Sequence, residues 1–189
     1  MCRKVVLFTF MWVIVLQAII FPAVLVEKHS ESKACSKIEL EFGFPHGLKK
    51  EYYENGNLKA EKRYKCGLLE GSSRLFYENG KMMTEWVYKG GKRQGLALGY
   101  YKRGKLKDKG FYREGKLEGP VFKYYSDGQL KMKMFFKNNR PDGLTKVFGS
   151  NGVLQTEYTY WRGTLTRQKS YDGYGGVILD QIFHRFMPP

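Results

Sequence analysis

Beyond the N-terminal hydrophobic run, apolar and polar positions alternate in short stretches, and glycines and rings interrupt them at a fixed interval. Gly47, Gly71, Gly95, Gly119 and Gly143 stand 24 residues apart, as do Gly56, Gly80, Gly104, Gly128 and Gly152. A third series runs Gly67, Gly91, Gly115, Asn139, Gly163, with Asn where left-handed backbone is tolerable. Rings keep the same phase at Tyr52, Phe76, Tyr100, Tyr124 and Phe148, and at Tyr64, Tyr88, Tyr112, Phe136 and Tyr160. Leu58, Met82, Leu106, Leu130 and Leu154 complete the frame. Series in phase over this many copies define five units, 47–70, 71–94, 95–118, 119–142 and 143–166. A linker and partial cap (35–46) precede them, and a degenerate cap and tail (167–189) follow.

Each unit predicts a hairpin. A strand near Leu48 to Tyr53 meets the turn Glu54-Asn55-Gly56-Asn57, and a second strand runs from Leu58 towards Lys65. Asn79-Gly80, Asp127-Gly128 and Asn151-Gly152 repeat the turn and are expected to supply the positive φ values that tight hairpins require; Arg103-Gly104 is a weaker version. Consecutive hairpins give an all-β fold, an elongated single-layer antiparallel meander of about five hairpin repeats, preceded by an N-terminal hydrophobic helix.

That helix is read from a different pattern. Arg3 and Lys4 precede an uncharged run, residues 5–26, broken only by Thr9, Gln17 and Pro22. As a helix it reaches ~33 Å, enough to cross a bilayer. With the basic residues first, the rest of the chain is expected outside the cytoplasm, behind a signal peptide or signal-anchor helix (1–34). Ser32-Lys33-Ala34 offers a cleavage site, Cys35 a poorer lipidation site, and the length of the run favours retention; all three stay open.

The repeating stretches Tyr52-Tyr53-Glu54-Asn55-Gly56-Asn57-Leu58 and Phe76-Tyr77-Glu78-Asn79-Gly80-Lys81-Met82 resemble MORN repeats of the variant type. So do Tyr64-Lys65-Cys66-Gly67-Leu68-Leu69-Glu70-Gly71 and Tyr112-Arg113-Glu114-Gly115-Lys116-Leu117-Glu118-Gly119. The resemblance covers about residues 40 to 180 and implies an open hairpin array without catalysis. It also implies membrane or phospholipid association or protein scaffolding, or an antitoxin role of the kind assigned to YwqK-type relatives. The chain departs from the pattern at Asn139-Arg140-Pro141-Asp142, and at Gly149, where the second ring of the fifth unit is missing.

Charge narrows the partners. The chain carries 33 Lys and Arg against 18 Asp and Glu, so an anionic partner is favoured. The excess concentrates in the third and fourth units, where Lys107 and Lys109 occupy the repeat positions of Lys131 and Lys133. Strand alternation puts these four on one face, which Phe111 and Phe135 continue. Lys123 joins them only if the intervening loop has three residues and a bulge. Lysines of this kind are more often a solubilising surface, and as a patch the two readings stand even.

Little points to chemistry. His29, His46 and His184 do not recur with the repeat, and no nucleophile, phosphate-loop or zinc-ligand spacing is present, so no enzyme activity, metal or cofactor is expected. Cys35 and Cys66 are candidates for a pair in an exported chain. The leading expectation is an exported, membrane-tethered binding or scaffold protein acting on an unknown protein partner. Direct attachment to anionic lipid or another polyanion and antitoxin-like inhibition of a partner are the alternatives. Nucleic acid is disfavoured because export removes the chain from it.

Overall fold

The computed structural model describes residues 4–5, 23–28, 35–41 and 43–183, with side chains at Ile38 and from residue 43 onward. The chain divides into two compact units, Met1–Lys92 and Arg93–Pro189.

In the first unit β1 (Lys4–Val5), β2 (Ala23–Lys28), β3 (Cys35–Glu41), β4 (Phe44–Tyr52), β5 (Leu58–Lys65), β6 (Leu68–Phe76) and β7 (Met82–Lys89) each pair antiparallel with the next. β8 (Lys92–Arg93) spans the division between the units. The second unit contains β9 (Gly95–Tyr100), β10 (Leu106–Arg113), β11 (Lys116–Tyr124), β12 (Leu130–Lys137), β13 (Arg140–Pro141), β14 (Gly143–Phe148), β15 (Leu154–Trp161), β16 (Thr164–Tyr171) and β17 (Val177–Ile182). Neighbours again pair antiparallel, β12 taking both β13 and β14. The all-β, single-layer antiparallel meander expected from the repeat holds in each unit.

Most of the hydrophobic helix expected over 5–26 lies outside the described residues. Its described ends are strand: Lys4 and Val5 pair with Glu27 and Val26. Val24 and Val26 are β-branched and suit the strand that Ala23–Lys28 forms. Among the described residues no helix is long and apolar enough to cross a membrane. Cys66 is an exposed free thiol, and the side chain of Cys35 lies outside the described residues.

The two turns of each repeat differ in kind, and the tighter one is not where Asn-Gly suggests. Tyr53 N–H donates to Asn57 O (2.8 Å) and Gly56 N–H to Tyr53 O (2.9 Å), enclosing the three-residue loop 54–56. Of the Asn55-Gly56 pair only Gly56 is left-handed (φ 85°). Asn55 instead accepts from the Asn57 N–H at 2.9 Å through its side chain, as Asn79, Asp127 and Asn151 do from the residue two further on. The two-residue turns with both φ positive are the connections Cys66-Gly67, Gly90-Gly91, Glu114-Gly115, Asn138-Asn139 and Arg162-Gly163. Three non-glycine types beside Asn (Cys66, Glu114 and Arg162, φ 47–50°) are held left-handed there, against their intrinsic preference.

In four of these five connections the first residue is clamped by a side chain from the preceding repeat boundary. Glu70 accepts from Gly90 N–H (2.7 Å), Gln94 from Glu114 (2.9 Å), Glu118 from Asn138 (2.9 Å) and Asp142 from Arg162 (3.1 Å). These acceptors are themselves 24 residues apart and each directly precedes a glycine of the first series. Those glycines sit at or inside strands with positive φ, 78° at Gly119 for example, and Gly119 faces the register break between Lys109 and Phe111. A side chain there would strain the backbone, which is why the series is glycine.

Successive hairpins are also bonded through phenols. Tyr53 donates to Phe76 O (2.7 Å), Tyr101 to Tyr124 O (2.6 Å) and Tyr125 to Phe148 O (2.8 Å). Packing adds little by comparison. Among the described residues the buried side chains are small or branched, and four of them, Ser73, Ala97, Val121 and Thr145, again stand 24 residues apart. Replacing Tyr125 by Phe removes one donor without removing the ring. Denaturant titration should show a loss of about 1 kcal/mol; an unchanged midpoint would show that the bond contributes nothing to stability.

Candidate binding face

Paired strands set one residue of each strand in a row across the sheet, all on one face. In the first unit such a row reads Lys50, Glu61, Arg74, Glu85. Its charges alternate, and Arg74 lies 2.8 Å from Glu85 and 3.8 Å from Glu61. In the second unit the equivalent row reads Leu98, Lys109, Phe122, Lys133, Lys146, Glu157, Lys169, Asp180. Its end keeps the alternation, with Lys146–Glu157 at 3.2 Å and Lys169–Asp180 at 3.7 Å.

Its beginning inverts the alternation. Lys109 and Lys133 occupy the repeat position of Glu61, Glu85 and Glu157, and Leu98 and Phe122 occupy that of Lys50, Arg74 and Lys146. The two ammonium groups therefore flank an aromatic ring where other repeats have ion pairs. Lys109 Nζ is 4.8 Å from the Phe122 centroid and 6.0 Å from that of Tyr124. Lys133 Nζ is 5.8 Å from Phe122 and 5.5 Å from Phe135. Neither lysine forms a salt bridge among the described residues. The rings attract the ammonium groups but leave their charge uncompensated.

Beside this row, on the same face, lies a second one that is mostly apolar, interrupted by Glu118 opposite Phe111. Leu96 pairs with Phe111, Pro120 with Phe135 and Leu144 with Thr159. Leu96, Phe111, Phe135 and Leu144 are 49, 42, 40 and 39% exposed, so the stripe is open to a partner. Two bare ammonium groups on a ring, edged by exposed leucine and phenylalanine, can take an anionic group and an apolar group together.

Of the residues predicted from sequence, Lys109, Lys133, Phe111 and Phe135 come together here. Lys107 and Lys131 do not follow them by alternation, because each is the extra residue of a bulge: Leu106 and Asp108 face the consecutive Tyr100 and Gly99, and Leu130 and Met132 face Tyr124 and Lys123. Lys131 Nζ sits 5.3 Å over the Tyr125 ring instead. Lys123 is on the opposite face, opposite Asp108 and Met132. Its hairpin has the three-residue loop and the bulge that were expected to bring it onto the face, yet the register sets Lys123 one residue from Phe122 and therefore on the other side. The expected structural glycines, Gly56, Gly80, Gly104, Gly128 and Gly152, all have positive φ. Phe122, the centre of the arrangement, was missed. Its signal was the substitution of a cationic repeat position by a ring opposite a Glu-to-Lys change.

The family model for the MORN repeat variant matches residues 45–65, 69–89, 93–116, 117–138 and 141–162. The chain belongs to this family. The five matched windows fall one in each sequence unit, displaced by a few residues from the 24-residue frame. No curated protein matches the sequence. Membership in the MORN variant family accords with a binding or scaffold role and identifies no ligand. Among the described residues no cluster of three or more His, Cys, Asp or Glu is placed to hold a metal ion.

The end of the row where alternation persists has a pH signature. A hydrogen bond from the Tyr171 hydroxyl (2.7 Å) holds the Glu157 carboxyl below its ordinary value, with Lys146 and Lys169 adding to the effect and burial opposing it. A depressed folded-state pKa stabilises the protein above the unfolded value, and the benefit disappears as pH falls through the folded one. Glu157→Gln should therefore destabilise this MORN array at pH 7 but narrow towards wild type below about pH 4. Equal destabilisation in denaturant titrations at both pH values would refute the assignment.

Proposed function

We propose that this MORN-repeat chain is a non-enzymatic binding module that docks an acidic protein partner on the face built by Lys109, Phe122 and Lys133, carried outside the cytoplasm on its N-terminal hydrophobic segment. One observation carries the reading. In two successive repeats the carboxylate that neutralises this row elsewhere is replaced by lysine, and an exposed apolar stripe runs alongside. A surface meant only for solubility would gain nothing from removing those carboxylates while exposing Phe111 and Phe135. A partner supplying Asp or Glu beside apolar side chains completes both rows at once. Inhibition of a toxin-like protein is one form of such docking, and anionic lipid is the competing use of the same charges.

The test rebuilds the ordinary repeat. Phe122→Arg with Lys133→Glu restores the pattern of Arg74 and Glu85 and should fold as well as wild type. Full-length wild type and variant, solubilised in detergent, are compared in pull-downs from the native envelope and in flotation with neutral and phosphatidylglycerol vesicles over a salt series. The proposal expects a protein retained by wild type, lost from the folded variant and weakened by salt. Equal retention by both, or salt-sensitive flotation with anionic vesicles and no retained protein, overturns it.

A further inference from the structure

We infer that the acidic partner presents a helix, laid across the strands of the second unit with its apolar side on the Phe111–Phe135 stripe and acidic side chains on both flanks. This rests on the docking of an acidic partner proposed for the same face, and adds a second cationic rim to it. Alternate residues of a strand share a face. Lys109, Phe111 and Arg113 in β10 therefore set a cation, a ring and a cation on one side of the sheet, and Lys133, Phe135 and Lys137 do the same in β12. The other repeats carry no such triplet: the equivalent residues are Glu61, Arg63 and Lys65, then Glu85, Val87 and Lys89, then Glu157, Thr159 and Trp161. Cross-strand pairing adds Lys116 opposite Arg113 and Arg140 opposite Lys137. These outer cations are exposed, and among the described residues none of them forms a salt bridge. The carboxylates of Glu118 and Asp142 are engaged by the N–H groups of Asn138 and Arg162. Glu114, in the turn beyond Arg113, leaves the rim with an excess of positive charge.

Dimensions select the helix. Two residues along a strand cover about 7 Å, so the two rims stand about 14 Å apart with the stripe midway. A helix with its side chains is about 10–12 Å across, and acidic residues bordering its apolar side reach outward to both rims. An extended segment puts successive side chains on opposite faces, so along one line it meets the stripe or a rim and not all three rows. The length of the stripe agrees. From Leu96 in β9 to Leu144 in β14 the pairing crosses β10, β11 and β12. At about 4.8 Å between strands this is about 19 Å, which about 13 helical residues cover. A linear polyanion would neutralise the rims but leave Leu96, Phe111, Phe135 and Leu144, all substantially exposed, in water.

The probe is a synthetic peptide of about 14 residues, with leucine at helical spacing, glutamate on both flanks of the leucines and alanine elsewhere. A control peptide of the same composition alternates leucine and glutamate at strand spacing. Fluorescence anisotropy of the labelled peptides reads binding to the full-length chain in phosphatidylcholine nanodiscs, with the signal of empty nanodiscs subtracted. The helical peptide should bind wild type at least about tenfold more tightly than the control and gain helical circular dichroism as it does so. Arg113→Glu with Lys137→Glu should weaken it at least about tenfold, as should Phe122→Arg with Lys133→Glu at the other rim. Lys123→Glu, on the opposite face, should leave it unchanged. A circular dichroism signal equal to wild type is required of each variant; should the glutamate pair lose it, Arg113→Ala with Lys137→Ala carries the test. No binding, equal binding of the two peptides, or indifference to the Arg113 and Lys137 changes overturns the inference. The reading beneath it is judged separately: binding lost with Phe122→Arg and Lys133→Glu keeps an acidic partner on this face, whereas binding indifferent to both rims removes it.

Discussion

A sheet one layer thick has no interior for large side chains, and this constraint governs everything else in the chain. Among the described residues the most buried apolar positions are Ala60, Ala97, Val121 and Ile38, and no large side chain is fully enclosed. Burial at about 25 cal/mol per Å² cannot then do the work it does in a two-layer fold. Order has to come from directed bonds between one repeat and the next. The phenols of Tyr53, Tyr101 and Tyr125 supply one set, and the acceptors Glu70, Gln94, Glu118 and Asp142 supply another. Each bond requires a particular atom at a particular offset, so the sequence must repeat at 24 residues wherever the structure does. The nearest-neighbour character of repeat proteins follows directly.

This is why the fold was legible before the structure and the face was only half legible. Glycines and rings in phase announce a hairpin array, because each marks a local requirement that reads the same in every copy. Turn type is subtler. Asn-Gly ordinarily signals a two-residue hairpin, yet here Asn55 caps a three-residue loop through its side chain, and Cys66-Gly67 makes the tight turn. Parity is subtler still. The bulge that follows the three-residue loop, at Lys107 and Lys131 among others, changes the face assignments made by counting across that loop, and nothing in the identity of a lysine announces a bulge. Lys109 and Lys133 were placed correctly relative to Phe111 and Phe135 because they share regular stretches of strand. Lys123 was not, because a loop and a bulge separate it from them.

The phenol bonds also explain where variation is permitted. Tyr125 must reach the Phe148 carbonyl, and the small residue at Val121 must fit beneath its neighbours, since Gly110 leaves only enough room that an added Cβ would come within 3.2 Å of a Val121 methyl. Positions of this kind are fixed by the array. The cross-strand row is not. An exposed ion pair contributes ~0–1 kcal/mol, and a lysine on an exposed ring contributes ~0.5–1 kcal/mol.

Exchanging Arg74–Glu85 geometry for Phe122–Lys133 geometry is therefore nearly neutral for stability, while it reverses the electrostatic character of the face. The two effects decouple because the row runs across the strands on the outside of a backbone ladder already held by its own bonds. A fold whose stability resides in backbone, turn and phenol contacts leaves its strand-centre side chains free to specify a partner. In two consecutive repeats those positions depart from the charge alternation kept elsewhere in the row, and Lys109 and Lys133 come to share a single ring.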